Sequence, residues 1–352
     1  MRKHYKVLGI MSGSSLDGID FVLVEFFKKI RWEFKLISSS TYSYPKKIYE
    51  KLRYSSSLHE NEIKGLDEFY TIYLSKQINK FLKKNNIHKI DFISSHGHTV
   101  LHQPSLGITY QIGNLPILAK LINKKVVCDF RTKDLEMGGQ GAPLVPVGEI
   151  KLFHKLDTFI NLGGFANITL KNQKKIIAYD ICPVNLILNL LANKLDRSYD
   201  KDGKLASQGK FIPELEKKLD DVRFFKLKPP KSLGFEWVKK NILPIIEIYE
   251  KNSINDILNT YTIFVAKHIS YALSGRKEVL VTGGGAHNSF LIEQIKKRTS
   301  CIISIPEKKI INFKEAIIFA FLGLLRDKNK VNCYASVTGA KIDHSSGNIF
   351  LP

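Results

Sequence analysis

Three glycine-bearing stretches carry the residues most able to do chemistry: "GIMSGSSLDGID" (9–20), "NLGGFANITL" (161–170) and "VTGGGAHN" (281–288). Each follows a short apolar run that reads as a strand. Glycine at such a turn lets successive backbone N–H groups converge on an anion with no side chain in the way. A phosphate chain gripped from both sides needs two such turns. In the first, Ser12, Gly13, Ser14 and Ser15 would cradle phosphate oxygens, while Asp17 or Asp20 could hold Mg2+ through water. The third stands where a strand passes into a helix, so its backbone could approach a base, a ribose or an α-phosphate. Any one of the three, taken alone, equally describes a tight packing turn.

Two acids and one base stand out beside these turns. Asp180 in "AYDICPVN" ends an apolar strand, and Glu315 in "FKEAIIFAF" opens an apolar helix. Without further context they read as a strand-end turn residue and as a favourable acid near a helix N-terminus. Arg131 in "CDFRTKD" is one of few arginines; its planar fork suits a ligand carboxylate, or else pairs Asp134. "HGHTVLH" places His96, His98 and His102 within seven residues. Their spacing is not the H-x-x-x-H of a zinc helix and no cysteine is near, so no metal is assigned and a strand-end loop touching ligand hydroxyls fits better. No G-x-x-x-x-G-K-[ST] occurs, nor a G-x-G-x-x-G opening a first βα unit, which excludes a P-loop and disfavours a Rossmann oxidoreductase.

The elements that must position these residues repeat. "HYKVLGIM", "IDFVLVEFF" and "RWEFKLISSSTYSY" read as three strands, followed by the helical spacing of "LDEFYTIYLSKQINKFLKK" and the buried strand of "KIDFISSHGHT". Midway along, "DTFINLGG", "FANITLKN" and "KKIIAYDICP" repeat the three strands, and "VNLILNLLANKL" is again helical. Two copies of a meander followed by helices, each opening on a glycine hairpin, imply two α/β lobes that face a common cleft. Their expected bounds are 1–130 plus about 331–352, and 131–330. A chain of 352 residues fits two domains.

Bulk properties exclude several functions. The formal charge of +21 could mean nucleic acid, but 45 of the 54 basic residues are lysine and they are scattered as pairs, which describes a solvated surface instead. Cys128, Cys182, Cys301 and Cys333 lie far apart with no C-x-x-C, as expected of a reducing cytoplasm. The longest apolar run, "AIIFAFLGLL", is about half of the roughly 20 residues a bilayer span requires, so it should be a buried helix. No membrane partner and no secretion are expected.

Ten blocks in order, from "GIMSGSSLDGID" through "SSHGHTVLHQP", "QIGN", "VVCDFRTKD", "GGQGAPLVP", "NLGGFANITL", "YDKDGKLASQG", "PPKSLG" and "VTGGGAHN" to the closing "VTGA", resemble the anhydro-N-acetylmuramic acid kinases. The resemblance implies the two-lobed actin-like fold of sugar kinases and Hsp70-like ATPases, with duplicated RNase H-like domains and a central nucleotide cleft. It implies ATP as phosphoryl donor with Mg2+, and 1,6-anhydro-N-acetylmuramic acid as the acceptor that is hydrolytically opened and phosphorylated at O6 during peptidoglycan recycling. A cytoplasmic homodimer is likewise implied. By the same resemblance Asp180 is the catalytic base, and Glu315, Arg131, His96 and His102 bind the sugar. Gly13, Ser14, Ser15, Leu16, Asp17, Gly18, Ile19, Asp20, Gly163, Gly164, Asn167, Gly283, Gly284, Gly285 and Asn288 bind ATP. The chain departs from the family's pattern at "DICPVN", where two glycines are missing beside Asp180, at Asn114, where an acid is common, and at Ser14 and His98, where Thr and Gln are common. The runner-up is another sugar or carboxylate kinase, or a polyphosphate phosphatase, of the same fold. A filament subunit or chaperone ATPase is less suited to a lysine-rich surface with no residues left for a peptide-binding domain.

Overall fold

The computed structural model describes residues 4–13, 16–172 and 175–352. It divides into two compact units, Met1–His154 with Phe313–Pro352, and Lys155–Asn312. In the first, β1 (His4–Ser12), β2 (Ile19–Lys28) and β3 (Trp32–Tyr42) form an antiparallel meander. Strand β4 (Phe92–Gln103) joins the free side of β1 in parallel, β5 (Ile108–Ile112) folds back along β4, and β6 (Val126–Cys128) follows β4 in parallel. In the second, β7 (Thr158–Leu162), β8 (Phe165–Lys171) and β9 (Ile176–Pro183) form the meander, and β10 (Glu278–Thr282) and β11 (Ile302–Ser304) extend it in parallel from β7. A short β12 (Asn348–Phe350) closes the first sheet beside β6.

The strand orders β3-β2-β1-β4-β6 and β9-β8-β7-β10-β11 are therefore the same order twice. That is the duplicated α/β architecture expected from the repeat. Strand β1 is central, and both its faces are covered, which is why it reads as a continuous apolar run rather than an alternating one. Leu8 and Ile10 pack with Phe21 against the helix Glu60–Lys84. That helix buries Ile63, Leu66, Tyr70, Leu74, Ile78, Phe81 and Leu82, a spacing of three and four residues that keeps one stripe on the sheet. On the other face of β1, Gly9 lies under the helix Lys308–Asp327. The core of the second unit is built on β7–β9 and the helix Ile254–Ala272, whose Tyr261, Phe264 and Val265 are fully buried.

The unit boundaries differ from those read off the sequence. Residues 131–154 and 313–330 belong to the first unit. The "AIIFAFLGLL" run is the buried helix expected, but its partners are strands β1, β2 and β4: it covers Gly9, Phe26 and Phe321 rings stand 5.4 Å apart, and Ser94 donates to the Phe319 carbonyl. Among the described residues no helix is long and apolar enough to cross a membrane.

Gly9 is a packing requirement rather than a turn. A Cβ there would meet the Ala316 carbonyl oxygen at 2.3 Å and the Ala320 Cβ at 2.8 Å, and a backbone oxygen in a helix cannot step aside. Gly9→Ala should lower stability by about 1–3 kcal/mol, the usual range for overpacking a core. Thermal unfolding of the variant beside the parent checks this, and an unchanged midpoint would show that the helix can shift.

Candidate active site

In the first unit the "HGHT" stretch is strand, not loop. His96, His98 and His102 all lie in β4, which runs on to Gln103 because β5 pairs with its second half. Gly97, at φ 77°, breaks the alternation there, and the register of β4 on β1 shifts at the same place. His96 and His98 therefore reach opposite sides of the sheet, His96 toward Phe319 and His98 toward Tyr70, and both are buried because each side is covered by a helix. His96 Nδ1 faces the Gly97 carbonyl at 2.9 Å and must donate to it, so Nε2 carries the lone pair. That lone pair accepts from Arg131 Nε at 3.0 Å. Burial and the neighbouring guanidinium hold the His96 pKa well below the ordinary imidazole value, which keeps the ring an acceptor.

Arg131 also donates from Nη1 to the Gly141 carbonyl at 2.6 Å. Two neutral acceptors thus orient the guanidinium, and among the described residues no carboxylate lies within bonding distance of it; the alternative partner Asp134 accepts from Gly141 N–H instead, at 2.6 Å. Burial lowers the Arg131 pKa to about 10, with Glu315, Cys333 and Asp134 acting against it, so the cation persists at neutral pH. An oriented, incompletely neutralised arginine is what an incoming carboxylate needs. His102 is exposed, bonded through Nδ1 to Thr109 Oγ1 at 3.1 Å, and its pKa is lowered first by burial and then by Arg131. Glu315 does not open its helix: the helix starts at Lys308, so Glu315 lies about two turns in, beyond the reach of the terminal dipole. It is exposed and close enough to Asp20 and Arg131 to shift both.

The first turn links β1 to β2. Ser14 and Ser15 lie outside the described residues. Gly18, at φ 147°, would place a Cβ 2.5 Å from the Tyr42 carbonyl, and Leu16 is left-handed at φ 60°. Ser12 belongs to a buried chain of contacts, with its Oγ 2.9 Å from His98 Nδ1 and 2.6 Å from the Tyr44 hydroxyl, which in turn meets Tyr70. Ser12 therefore anchors the end of β1 and is less free for a phosphate than its position suggested. Asp20 accepts from Thr41 Oγ1 across the β2–β3 ladder at 2.5 Å. Its pKa is raised to about 6, first by burial and then by the charges of Glu315 and Asp17, with Thr41 opposing. Asp17, Asp20 and Glu315 are near enough to interact electrostatically, and carboxylate oxygens are the ligand type that Mg2+ takes, but the three do not converge on one point as a preformed metal cluster.

In the second unit the β7–β8 turn holds Gly163 and Gly164. Neither has a positive φ, and a Cβ on Gly163 would come no closer than 3.2 Å, to Asn161 Nδ2, while one on Gly164 would come no closer than 3.9 Å. Packing does not demand glycine there, so the missing side chains leave backbone open to a ligand. Their carbonyls accept from Val184, Asn185 and Leu186, tying the turn to the start of the helix Asn185–Asn193. Cross-strand register sets Asn161, Asn167 and Asp180 side by side on β7, β8 and β9. A bulge at Ile181 then shifts the register, and such bulges re-aim side chains at functional sites.

Asp180 stands on an edge strand whose N–H is met by the Lys231 carbonyl at 3.0 Å. The "PPKSLG" segment also holds its carboxylate: Leu233 N–H donates to Oδ2 at 2.8 Å and Ser232 Oγ at 3.2 Å. Both bonds fall on one oxygen, leaving Oδ1 to accept a proton. Burial raises the Asp180 pKa and these two donors partly restore it. A carboxylate of raised pKa is a stronger base than an ordinary one.

The third turn divides by role. Gly283, at φ 84°, and Gly285 are required by packing, since a Cβ would meet Leu162 at 2.7 Å and 2.8 Å respectively; Gly284 has nothing nearer than 3.7 Å. Asn288 caps the helix Ser289–Lys296 by accepting from Leu291 N–H at 3.0 Å. A cavity of about 480 Å3 opens here, lined by Asn185, Tyr199, Asp200, Gly284, Asn288 and Lys308 among others. Its size suits a nucleoside. A wider groove of about 930 Å3 between Lys46 and Phe69 contains none of the predicted residues, so volume alone does not choose the site.

A sequence model for anhydro-N-acetylmuramic acid kinase matches residues 5–352. The chain belongs to the anhydro-N-acetylmuramic acid kinase family. Relatives so named from Bacillus cereus (strain Q1) and Bacillus thuringiensis (strain Al Hakam) are each 32% identical over 380 aligned positions, covering 98% of this chain and 99% and 98% of theirs. Among solved structures, component A of Acidaminococcus fermentans (R)-2-hydroxyglutaryl-CoA dehydratase aligns at 13% identity and a TM-score of 0.47, over 89% of this chain and 95% of that one. As members of a kinase family, such chains are phosphotransferases that use ATP.

Within this family frame the structure adds residues that sequence reading did not single out: Asn161 beside Asn167, Ser232 and Leu233 on Asp180, and Asn185, Tyr199 and Lys308 at the cavity. The "PPKSLG" and "YDKDGKLASQG" blocks were visible, but their partners were not. Asp20 supplies a pH test. Its folded pKa of about 6 exceeds the ordinary carboxyl value of 3.8, so the folded protein holds more protons than the unfolded chain between these values. Its contribution to stability must fall as pH rises through that window. Asp20→Asn should flatten that part of the pH profile of unfolding; an identical slope in parent and variant would place the raised pKa elsewhere.

Proposed function

We propose that this chain opens 1,6-anhydro-N-acetylmuramic acid and phosphorylates it at O6, giving N-acetylmuramic acid 6-phosphate and ADP in cell-wall recycling. The single observation that carries the reading is the Asp180 carboxylate, held through one oxygen beside an open glycine turn in a chain of this family. The acceptor has no free 6-hydroxyl, because O6 is bonded to C1 within the bicyclic acetal. Water must therefore add at C1 as the C1–O6 bond breaks. The released O6 takes the γ-phosphoryl group as the bond from γ-phosphorus to the ADP oxygen breaks, and the proton of the water passes to Asp180.

Arg131, oriented by His96 and Gly141, would bind the lactyl carboxylate of the sugar. Neutral His96 keeps that guanidinium uncompensated, and Glu315 and His102 would accept sugar hydroxyls. Gly13 to Asp20 and Gly163, Gly164 and Asn167 would approach the phosphates, and the cavity at Gly284 and Asn288 the nucleoside. Asp17 and Asp20 would hold Mg2+, which when bound offsets the charge developing on the phosphoryl oxygens. A cytoplasmic homodimer suits the reading.

Asp180→Asn should leave ATP affinity nearly intact while reducing turnover on the order of 10²-fold or more, as loss of a general base does. Gly163→Val should instead weaken ATP binding by blocking backbone approach; calorimetric titration and steady-state rates separate the two effects. Phosphoryl transfer is best followed by phosphorus NMR on a panel of anhydro-N-acetylmuramic acid, N-acetylmuramic acid, N-acetylglucosamine and acetate. Transfer to O6 of the anhydro sugar alone is expected. Faster transfer to any other member would replace this reading.

A further inference from the structure

Behind the loop that presents Arg131, three side chains distant in sequence converge in the interior of the first unit. Asp134, Cys333 and His344 are all buried, with 0%, 0% and 6% of their surfaces exposed, and one ligand atom from each lies within 4.8 Å of the others. Cys333 and His344 are brought together by the backbone: they form an isolated antiparallel bridge in which each N–H donates to the other's carbonyl at 3.1 Å. Directly opposed residues in such a pair project side chains to the same face. Asp134 arrives from the short helix that follows Arg131.

The hydrogen-bond roles in this cluster do not close without a cation. His344 Nδ1 lies 3.0 Å from the Ile342 carbonyl, which can only accept, so Nδ1 carries the hydrogen. In the neutral ring Nε2 is then a lone pair. It is buried, makes no hydrogen bond, and sits 3.5 Å from Asp134 Oδ1, which is also an acceptor. Two acceptors facing each other in a dry interior repel. Asp134 Oδ2 accepts from Gly141 N–H at 2.6 Å, and Oδ1 accepts from Thr338 Oγ1 at 2.7 Å and from the Cys333 thiol at 2.9 Å.

We propose that Asp134, Cys333 and His344 form a binding site for a zinc-like divalent cation. A thiolate, an imidazole and one carboxylate oxygen are the mixed donors that zinc takes, and a backbone carbonyl on the far nitrogen is the usual device that fixes a ligating histidine. On binding, the Cys333 S–H bond breaks, its proton leaves to solvent, and a metal–sulfur bond forms. The Oδ1 lone pair that had accepted from the thiol passes to the metal, while its bond from Thr338 is kept. One dication with one thiolate and one carboxylate leaves the cluster neutral, whereas without it no lysine or arginine among the described residues pairs with the buried Asp134 carboxylate. The histidines weighed in the sequence, in "HGHTVLH", are not those of this site. Because Asp134 also holds Gly141, whose carbonyl orients Arg131, the metal would stiffen the loop that presents the guanidinium.

The test uses the full chain with any affinity tag removed, prepared in zinc-supplemented medium and analysed for metal, then stripped and titrated with Co2+. One equivalent of zinc is expected, and cobalt should give a thiolate-to-metal charge-transfer band with the intense visible bands of a tetrahedral site. Cys333→Ser should abolish the charge-transfer band, His344→Gln should weaken cobalt affinity at least tenfold, and Cys301→Ser, at a cysteine of the other unit, should change neither. Circular dichroism reports folding of each variant, and if Cys333→Ser does not fold the parent spectrum and His344→Gln decide. Folded parent that takes up neither zinc nor cobalt would overturn the proposal, leaving a proton shared between His344 and Asp134 as the missing cation. A charge-transfer band that survives in folded Cys333→Ser would do the same.

Discussion

A phosphate chain can be held by backbone N–H groups only where no side chain stands between, and the proposed role of the glycine turn in each unit depends on that constraint. In each unit a hairpin turn joins the first two strands of a meander, and the third strand lies one place further along the same sheet edge. The turn supplies approach and the neighbouring strands supply side chains at fixed spacing. Asp20 stands on β2 opposite Thr41 in the first unit, and Asn167 on β8 opposite Asp180 in the second. Glycines at the turns do different work: Gly18 and Gly283 are demanded by φ and by backbone contact, whereas Gly163, Gly164 and Gly284 are not demanded by the protein itself.

Charge is managed by burial and by neutral partners rather than by ion pairing. Arg131 is positioned by an imidazole lone pair and a carbonyl, so its orientation costs none of its charge. Asp180 is positioned by an N–H and a hydroxyl, which fix it without protonating it. The contrast is the buried pair of Lys314 Nζ and Glu149 Oε1 at 2.7 Å, one residue before Glu315 in the same helix. There the two buried charges pair with each other through one oxygen, while Glu149 Oε2 has no hydrogen-bond partner among the described residues.

Much of this was legible in the residues. The repeat of strand runs and glycine turns required two α/β units, and the ordered blocks pointed to the family that the chain matches along nearly all its length. What could not be read were contacts between distant segments. The unit boundaries moved because the "AIIFAFLGLL" helix packs under Gly9 and Ser94, a pairing that nothing local in either segment encodes. The histidines moved from loop to strand because β5 folds back on β4, and Gly97 was the sole local trace of the break.

By itself the sequence determined which segments could be strands or helices, where backbone could approach an anion, and which acids and which arginine were candidates, since those follow from periodicity and residue chemistry. Only the tertiary structure decided which groups meet. It set Ser232 and Leu233 on Asp180, His96 on Arg131, and Cys333 with His344 on Asp134. The physical reason is that hydrogen bonds, desolvation and metal-donor geometry depend on distances of a few ångströms between residues far apart in the chain, as Asp134 and His344 are, and those distances are products of strand register and helix packing.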